Sequence, residues 1–429
     1  MASTRQTWSR FMVMDITTLD DALLFVIVYS IMDPRDIKPD HPILKHIFND
    51  AYPGAITIFT QNWDECVFKV DFSYYANPRP PCIVRLEVED DEPTKFAMTA
   101  ALQGLAATIL PGLVPKVLQV GKAKNEGGRL LNFSVTEFID EKTLDDVWYE
   151  LNADGRSSLI SELAEAVEKL HSVRLSDQKV QEFLGNALKD EPGLLKELSG
   201  PGTFGGTQTG VFNSGSVFMG HIIKEHTDIK QPITVNVLSE PRGIEIKSDF
   251  EDMEPVVVEE SDMDRWAEEA VFCHNNLNPN QIFVRKLADG GYSIAGILDW
   301  TLAGFYPASY ELSLQDSHLG LGHGNVSFYL LLKDRLKEVT PRTSSQIALL
   351  RARELIHESH ERVLVSSDIV SSAVRKKFLD KLELVRDEDP YVGWRRTPGT
   401  SHDCSAAEFE RLEHDFYMTL PQDWKPAWE

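Results

Sequence analysis

The chain has 429 residues, 42% of them hydrophobic and 26% charged, with 43 Lys and Arg against 67 Asp and Glu for a formal charge of −24. That length allows two to four domains or two lobes around a cleft, and the composition is that of a folded globular protein; both exclude wholesale disorder, collagen-like repeats and a multispanning membrane protein. A field so negative repels nucleic-acid backbones and anionic lipid, which leaves cationic or neutral small molecules as the expected partner class. Cys66, Cys82, Cys273 and Cys404 are widely spaced with no CxxC pair, as in a reducing, cytoplasmic compartment.

In chain order, the first feature is the apolar run at 22–32 (ALLFVIVYSIM). Its eleven residues fall short of the roughly 20 that a membrane span needs, and Asp15, Asp20 and Asp21 precede it where a signal peptide carries positive charge. It is expected as a buried packing element. Residues 55–72 and 82–90 are β-branched or aromatic and partly alternating, and read as strands joined across the turn ANPRPP at 76–81. From 93 to 109 the pattern turns helical, with Phe96, Ala100 and Leu105 as an inward stripe. GLVPKVLQVG and LLNFSVTEFI read as two further strands, so residues 1–140 form a β-rich unit with one main helix.

From Thr143 the character changes. Within 157–173, Leu159, Ile160, Leu163, Val167 and Leu170 share one helical face. Residues 199–216 hold six glycines and read as a mobile loop: a phosphate cradle, a substrate-facing loop and a plain linker are all open readings. The acid-rich run at 249–264 reads as a solvated face or as a cation-attracting rim. Long helical stretches follow from 343 to about 385, and the Trp-, Tyr- and Pro-rich tail from Asp387 is expected to wrap the larger unit.

The segment 271–312 (VFCHNNLNPNQIFVRKLADGGYSIAGILDWTLAGFYPASYEL) carries the most information. An apolar lead-in meets an Asn-rich turn, then a strand at 282–284, a turn at 288–291 and a second strand ending in Asp299. Such a hairpin aims several side chains at one point, although pattern alone fits an ordinary hairpin with a capping Asp equally well. The segment resembles the catalytic and metal-binding stretch of the aminoglycoside phosphotransferase and choline kinase-like group, especially fungal members. The residues that carry the resemblance are Cys273, His274, Asn275, Leu277, Leu298, Asp299, Trp300, Ala303, Gly304, Phe305, Tyr306 and Pro307. Fainter likeness in the same order comes from GLVPKV, SVTEFIDEKTLDDVW and AEAVEKLHS.

This resemblance implies an α+β, two-lobed protein-kinase-like fold. The small β-rich lobe is expected over 1–140 and the helical lobe over 141–429, with 199–264 as a Gly-rich and acidic insertion. It also implies nucleotide contacts near Glu137 and Phe138, a phosphate-gripping cation at Arg85, and metal ligands at Gln281 and Asp299. The family moves a phosphoryl group from Mg-ATP to a small-molecule hydroxyl, by positioning and charge neutralisation with a carboxylate taking up the proton.

The departures decide the functional expectation. The catalytic Asp position falls on Asn276, whose amide has no basic lone pair at neutral pH. The metal-ligand Asn position falls on Gln281, one methylene longer, and Mg²⁺ tolerates geometric error poorly. The helix Glu that would pair with Arg85 falls on Thr99, Thr301 follows Asp299–Trp300, and the loop between the first strands has a lone Gly54. Three readings follow. The first is a repurposed kinase fold that binds and transforms a small organic molecule without ATP, in specialised metabolism, with Asn276, Asp299 and His274 lining the site and no cofactor. The second is a slow Mg-ATP phosphotransferase using Asp299 and Gln281 as metal ligands. The third is a non-catalytic pseudokinase binding module. His357, Glu358, His360 and Glu361 are expected as a solvated helical face, Cys273 as a packing residue, and GLGHGN at 320–325 as no nucleotide loop.

Overall fold

The computed structural model describes residues 35–49, 53–72, 79–88, 94–224, 232–317, 325–366 and 383–397, with the backbone of 12–15, 18–19 and 22–23 and a few isolated positions besides. Most of the apolar run at 22–32, part of the ANPRPP turn, GLGHG at 320–324, residues 367–382 and Cys404 lie outside the described residues. Among the described residues, no helix is long and apolar enough to cross a membrane.

The small lobe is an antiparallel sheet of β1 (Met12–Asp15), β2 (Pro53–Gln61), β3 (Glu65–Phe72), β4 (Cys82–Val88), β5 (Val117–Lys124) and β6 (Leu130–Glu137), in the order β1-β2-β3-β4-β6-β5. Alternation, interrupted by register shifts at Ile58–Thr60 and Val117–Gln119, divides its faces. Ile56, Ile58, Cys66, Phe68, Val70, Cys82, Val84, Leu86, Leu131, Phe133 and Val135 point to one side and are buried. They form a core with α1 (His41–Phe48), which contributes Ile43, Leu44, Ile47 and Phe48. Each fully buried apolar side chain of that kind is worth about 1.5–3 kcal/mol relative to exposure. The Asp40 carboxylate caps α1 by accepting the Ile43 N–H at 3.1 Å. The opposite face carries Thr57, Val67, Lys69, Ile83, Arg85, Ser134 and Thr136, which register as cross-strand neighbours and stay half-buried.

Residues 55–72, read as one extended stretch, fold back on themselves at Asn62–Trp63–Asp64. The Asn62 Oδ1 accepts the N–H groups of Asp64 (2.9 Å) and Glu65 (2.7 Å), which closes a tight turn. Gly54 lies inside β2 and not in that turn. The helix α2 (Thr94–Ile109) exists as expected, but its buried stripe is Met98, Ala101, Leu102, Leu105 and Ala106; Phe96 and Ala100 are only half-buried. That stripe belongs to the core of the large lobe, so α2 joins the lobes through apolar packing.

The large lobe is mainly helical. Its long helix α3 (Ala153–His171) buries Leu159, Ile160, Leu163, Val167 and Leu170, the face expected from the sequence. Beside it runs α4 (Val326–Val339), and α5 (Ser344–Ser366) packs on the helices at Ala308–Ser317 and Glu260–Glu269. The Gly-rich segment, expected as a mobile loop, is instead an interior ladder. There β7 (Phe204–Gly206) pairs with β8 (Gly210–Phe212) on one side and β9 (Gly304–Pro307) on the other, and β9 pairs with β10 (Ala270–Cys273). The glycines serve close approach: a Cβ at Gly206 would stand 2.4 Å from the Ala303 oxygen and 2.8 Å from the Gly304 Cα.

The acid-rich run ends in a strand at Val256–Glu259 and then α6 (Glu260–Glu269), which turns Met263 and Trp266 inward and ends in Glu269, whose Oε2 accepts from Ser345 and Gln346. The HESHE face is not solvated, because Ser359 and His360 are buried and Glu358 pairs with Arg362 and Arg386. As expected, the tail packs on this lobe as far as it is described, through buried Tyr391, whose hydroxyl donates to the Pro341 carbonyl.

Candidate functional site

The turn between β10 and the hairpin of β11 (Ile282–Lys286) and β12 (Tyr292–Ile297) is held from below by one side chain. Glu311, in the first turn of α7 (Ala308–Ser317), is fully buried, and its Oε1 accepts the backbone N–H groups of His274 (2.9 Å) and Asn275 (2.7 Å). Its Oε2 lies 2.8 Å from His171 Nε2 at the end of α3. Burial works to raise the Glu311 pKa, yet the His171 contact and these N–H groups hold it below the ordinary carboxylate value. Glu311 and His171 organise the turn, and neither stood out as a candidate in the sequence. The available signal was an acid in the otherwise apolar stretch FYPASYEL.

His274 is a scaffold within the turn. Only a donor can face the Leu298 carbonyl, 2.9 Å from Nε2, and only an acceptor can face the Asn276 N–H, 3.1 Å from Nδ1. The imidazole is therefore neutral and protonated on Nε2, and burial depresses its pKa accordingly. Its ring meets Trp300 edge-on at 4.5 Å.

Asn276 and Asp299 are in direct contact. The Asn276 Nδ2 donates to Asp299 Oδ2 at 2.7 Å, while its Oδ1 accepts from Asn278 Nδ2 at 3.3 Å. Asp299 sits in the left-handed region (φ 60°, ψ 73°), and its Oδ1 accepts from the Thr301 hydroxyl at 2.5 Å. Gln281 approaches through its backbone, its carbonyl accepting the Leu298 N–H at 2.8 Å.

Arg85 projects from the half-buried sheet face. Its Nη2 contacts Glu87, and its Nε stands 3.1 Å from Glu65 Oε1. Burial lowers the Arg85 pKa, but Glu87, Glu65 and Asp299 together outweigh that and raise it; the same burial, with Asp299 in range, raises Glu65. Asp299 thus lies within electrostatic reach of the Arg85 cluster, although it comes from the other lobe. Thr99 does not pair with Arg85, since its hydroxyl faces Thr207 at 3.4 Å.

Of the two residues expected near nucleotide, Glu137 accepts the Lys116 N–H at 3.1 Å, and Phe138 lies under Lys69, whose Nζ is 4.5 Å from the ring centre. Lys69 also pairs with Asp71 at 2.9 Å. The structure therefore brings together Asn276, Asp299, His274 and the Gln281 backbone, with Arg85 facing Asp299 from the small lobe; Glu137 ends β6 and Phe138 follows it. A groove of about 430 Å³, lined by Arg174, Leu198, Thr203 and Ala270, lies at the opposite end of β10.

No family description and no curated protein matches the chain. Solved structures do. The GDP complex of wild-type aminoglycoside 2'-phosphotransferase-IIIa is 11% identical over 87% of this chain and 96% of its own, with a TM-score of 0.36. The gentamicin complex of APH(2")-IIa is 9% identical over 90% and 98%, with a TM-score of 0.38. The amicoumacin kinase hAmiN, in complex with AMP-PNP, Ca²⁺ and Ami, is 8% identical over 85% and 89%, with a TM-score of 0.37. The chain is similar to aminoglycoside phosphotransferases. At these identities the likeness says nothing of which ligand this chain takes, and the two-lobed α+β layout stands on its own sheets and helices.

Proposed function

We propose that this chain is a kinase-fold protein whose interlobe site binds a small, non-phosphorylated organic molecule and acts on it without ATP-dependent phosphoryl transfer. The observation that carries this reading is that two strand carboxylates, in place of one helix Glu, hold Arg85, and that neighbouring donors cover Asp299. Arg85 is clamped between Glu65 and Glu87, and Asp299 is covered by Asn276 and Thr301. Around Arg85 the three carboxylates of Glu65, Glu87 and Asp299 outnumber the one cation, which disfavours a triphosphate. The first hairpin turn adds to this, because the N–H groups of Asp64 and Glu65 already serve Asn62 and are not available to cradle phosphate.

Asp299 is the carboxylate that remains to act as acid, base or cation partner, and His274 and Glu311 fix the turn that faces it. The retained position of Asp299 favours the second reading, a slow Mg-ATP phosphotransferase in which Asp299 and Gln281 hold the ion. Its residues fit that role poorly: Asp299 already accepts three hydrogen bonds, and the loss of a general base at Asn276 costs about 10²–10⁴ in rate.

Thermal unfolding with millimolar ATP or ADP, with and without Mg²⁺, separates the two. A ligand at 100 times its Kd stabilises by about 2.7 kcal/mol, which moves the midpoint by a few degrees. No shift is expected. A Mg²⁺-dependent rise overturns the first reading and installs the second.

A further inference from the structure

We propose that His171, Cys273 and Glu311 form a buried binding site for one thiophilic divalent cation of the zinc type, behind the interlobe turn. The three side chains come from the end of α3, the end of β10 and the start of α7. One ligand atom from each lies within 4.8 Å of the others. His171 Nε2 is 2.8 Å from the Glu311 carboxylate and 3.8 Å from Cys273 Sγ. Nitrogen, sulfur and carboxylate oxygen are the donors zinc takes, and around a tetrahedral ion such atoms stand about 3.3–3.7 Å apart. Seating the ion therefore asks the His171–Glu311 pair to open by about half an ångström while the thiol closes slightly on His171 and, from within 4.8 Å, by up to about 1 Å on Glu311.

The charges balance. A dication with one thiolate, one carboxylate and a neutral imidazole sums to zero, which suits a site this dry better than a lone buried carboxylate does. The protons balance as well. The Cys273 thiol proton leaves to solvent. The imidazole proton moves from Nε2 to Nδ1, a buried atom with no hydrogen-bond partner among the described residues. Glu311 keeps both backbone N–H groups on Oε1, so the turn bearing Asn276 is undisturbed. The Val271 and Tyr306 carbonyl oxygens, 3.4 and 3.7 Å from Sγ, are the atoms at hand for a fourth position. Because binding releases the thiol proton, loading strengthens as pH rises. The bound ion would tie together the three elements that frame the turn.

The test is a titration of the full chain, stripped with chelator and kept reduced, with Co²⁺. One equivalent should produce a thiolate-to-metal charge-transfer band with tetrahedral visible bands, stronger at pH 8 than at pH 6 and displaced by Zn²⁺. Cys273→Ser should abolish the charge-transfer band, while Cys66→Ser and Cys82→Ser retain it. His171→Gln keeps a donor toward Glu311 and so preserves the fold's own contact, but removes a ligand and should weaken Co²⁺ binding at least about 10-fold. Absence of the band in the wild-type chain, or its survival unchanged in Cys273→Ser, overturns the site.

Discussion

Asn276→Asp places a second carboxylate where the amide now donates to Asp299 at 2.7 Å. Two unit charges at that distance repel by about 6 kcal/mol at an effective dielectric of 20 and about 1.5 kcal/mol in bulk water. The pair can escape by binding one proton. Holding a carboxyl of ordinary pKa about 3.9 protonated at pH 7 costs about 4 kcal/mol, so that is the ceiling. The expected loss of stability is thus about 2–4 kcal/mol at pH 7. The sign with pH follows: the folded variant would bind more protons than its unfolded chain between about pH 4 and 7, so its deficit grows as pH rises and nearly vanishes at pH 4. Mg²⁺ offers a second escape and should restore part of the loss in the variant while leaving the wild-type chain unmoved. Urea unfolding at pH 4.5, 6 and 7.5, with and without millimolar Mg²⁺, reads all of this. A deficit of the same size at pH 4.5 and 7.5 would falsify the view that the Asn276 amide neutralises Asp299.

Glu311→Gln keeps the size but removes the charge from a side chain that holds two backbone N–H groups and His171; a loss of about 2–4 kcal/mol is expected in urea unfolding, and less than half a kcal/mol refutes the anchoring role. Gly206→Ala drives a methyl into the Ala303 carbonyl and the Gly304 Cα, both backbone, and should cost about 1–3 kcal/mol or more, read as a lower thermal midpoint. Because burial depresses the His274 pKa, the unfolded chain binds a proton that the folded one refuses; stability should fall as pH drops below about 6.5, by up to about 1.4 kcal/mol per pH unit, and His274→Gln should flatten that slope.

The lobes and the turn were legible because they rest on local pattern. The stripe Leu159, Ile160, Leu163, Val167 and Leu170 has the helical period, and all five are buried. The alternation of β3 and β4 is equally plain, with Cys66, Phe68 and Val70 matched by Cys82, Val84 and Leu86. What stayed hidden depends on partners distant in sequence. Glycines at 205 and 206 signal freedom when read locally, and only the arrival of Gly304 shows that they serve close packing. Arg85 reads as a free cation until β3 and β4 pair and bring Glu65 to Glu87. Thr99 looks like a lost partner for Arg85, but α2 turns it toward Thr207. Glu311 and His171 are 140 positions apart and have no shared motif.

These distant pairings separate a retained residue from a retained role. Asp299 keeps its place after the hairpin, yet with Asn276 beside it the carboxylate is an acceptor for an amide and a hydroxyl, which is a different task from holding a metal between two acids. Reverting the turn alone therefore meets only half of the obstacle. Asn276→Asp with Gln281→Asn should bring Mg²⁺ binding, because the first change sets two carboxylates side by side and the second restores the amide length the metal-ligand position has in the family. It should not bring ATP turnover, since Arg85 would still be neutralised by Glu65 and Glu87 across the cleft. Adding Glu65→Gln and Glu87→Gln removes two negative charges from the sheet face and frees the guanidinium for phosphate. The expectation is an ordered gain: Mg²⁺-dependent stabilisation in the double variant, then nucleotide-dependent stabilisation only in the quadruple variant. If the double variant alone hydrolyses ATP, the Arg85 clamp opens too easily to decide the chemistry, and the turn alone sets what this cleft does.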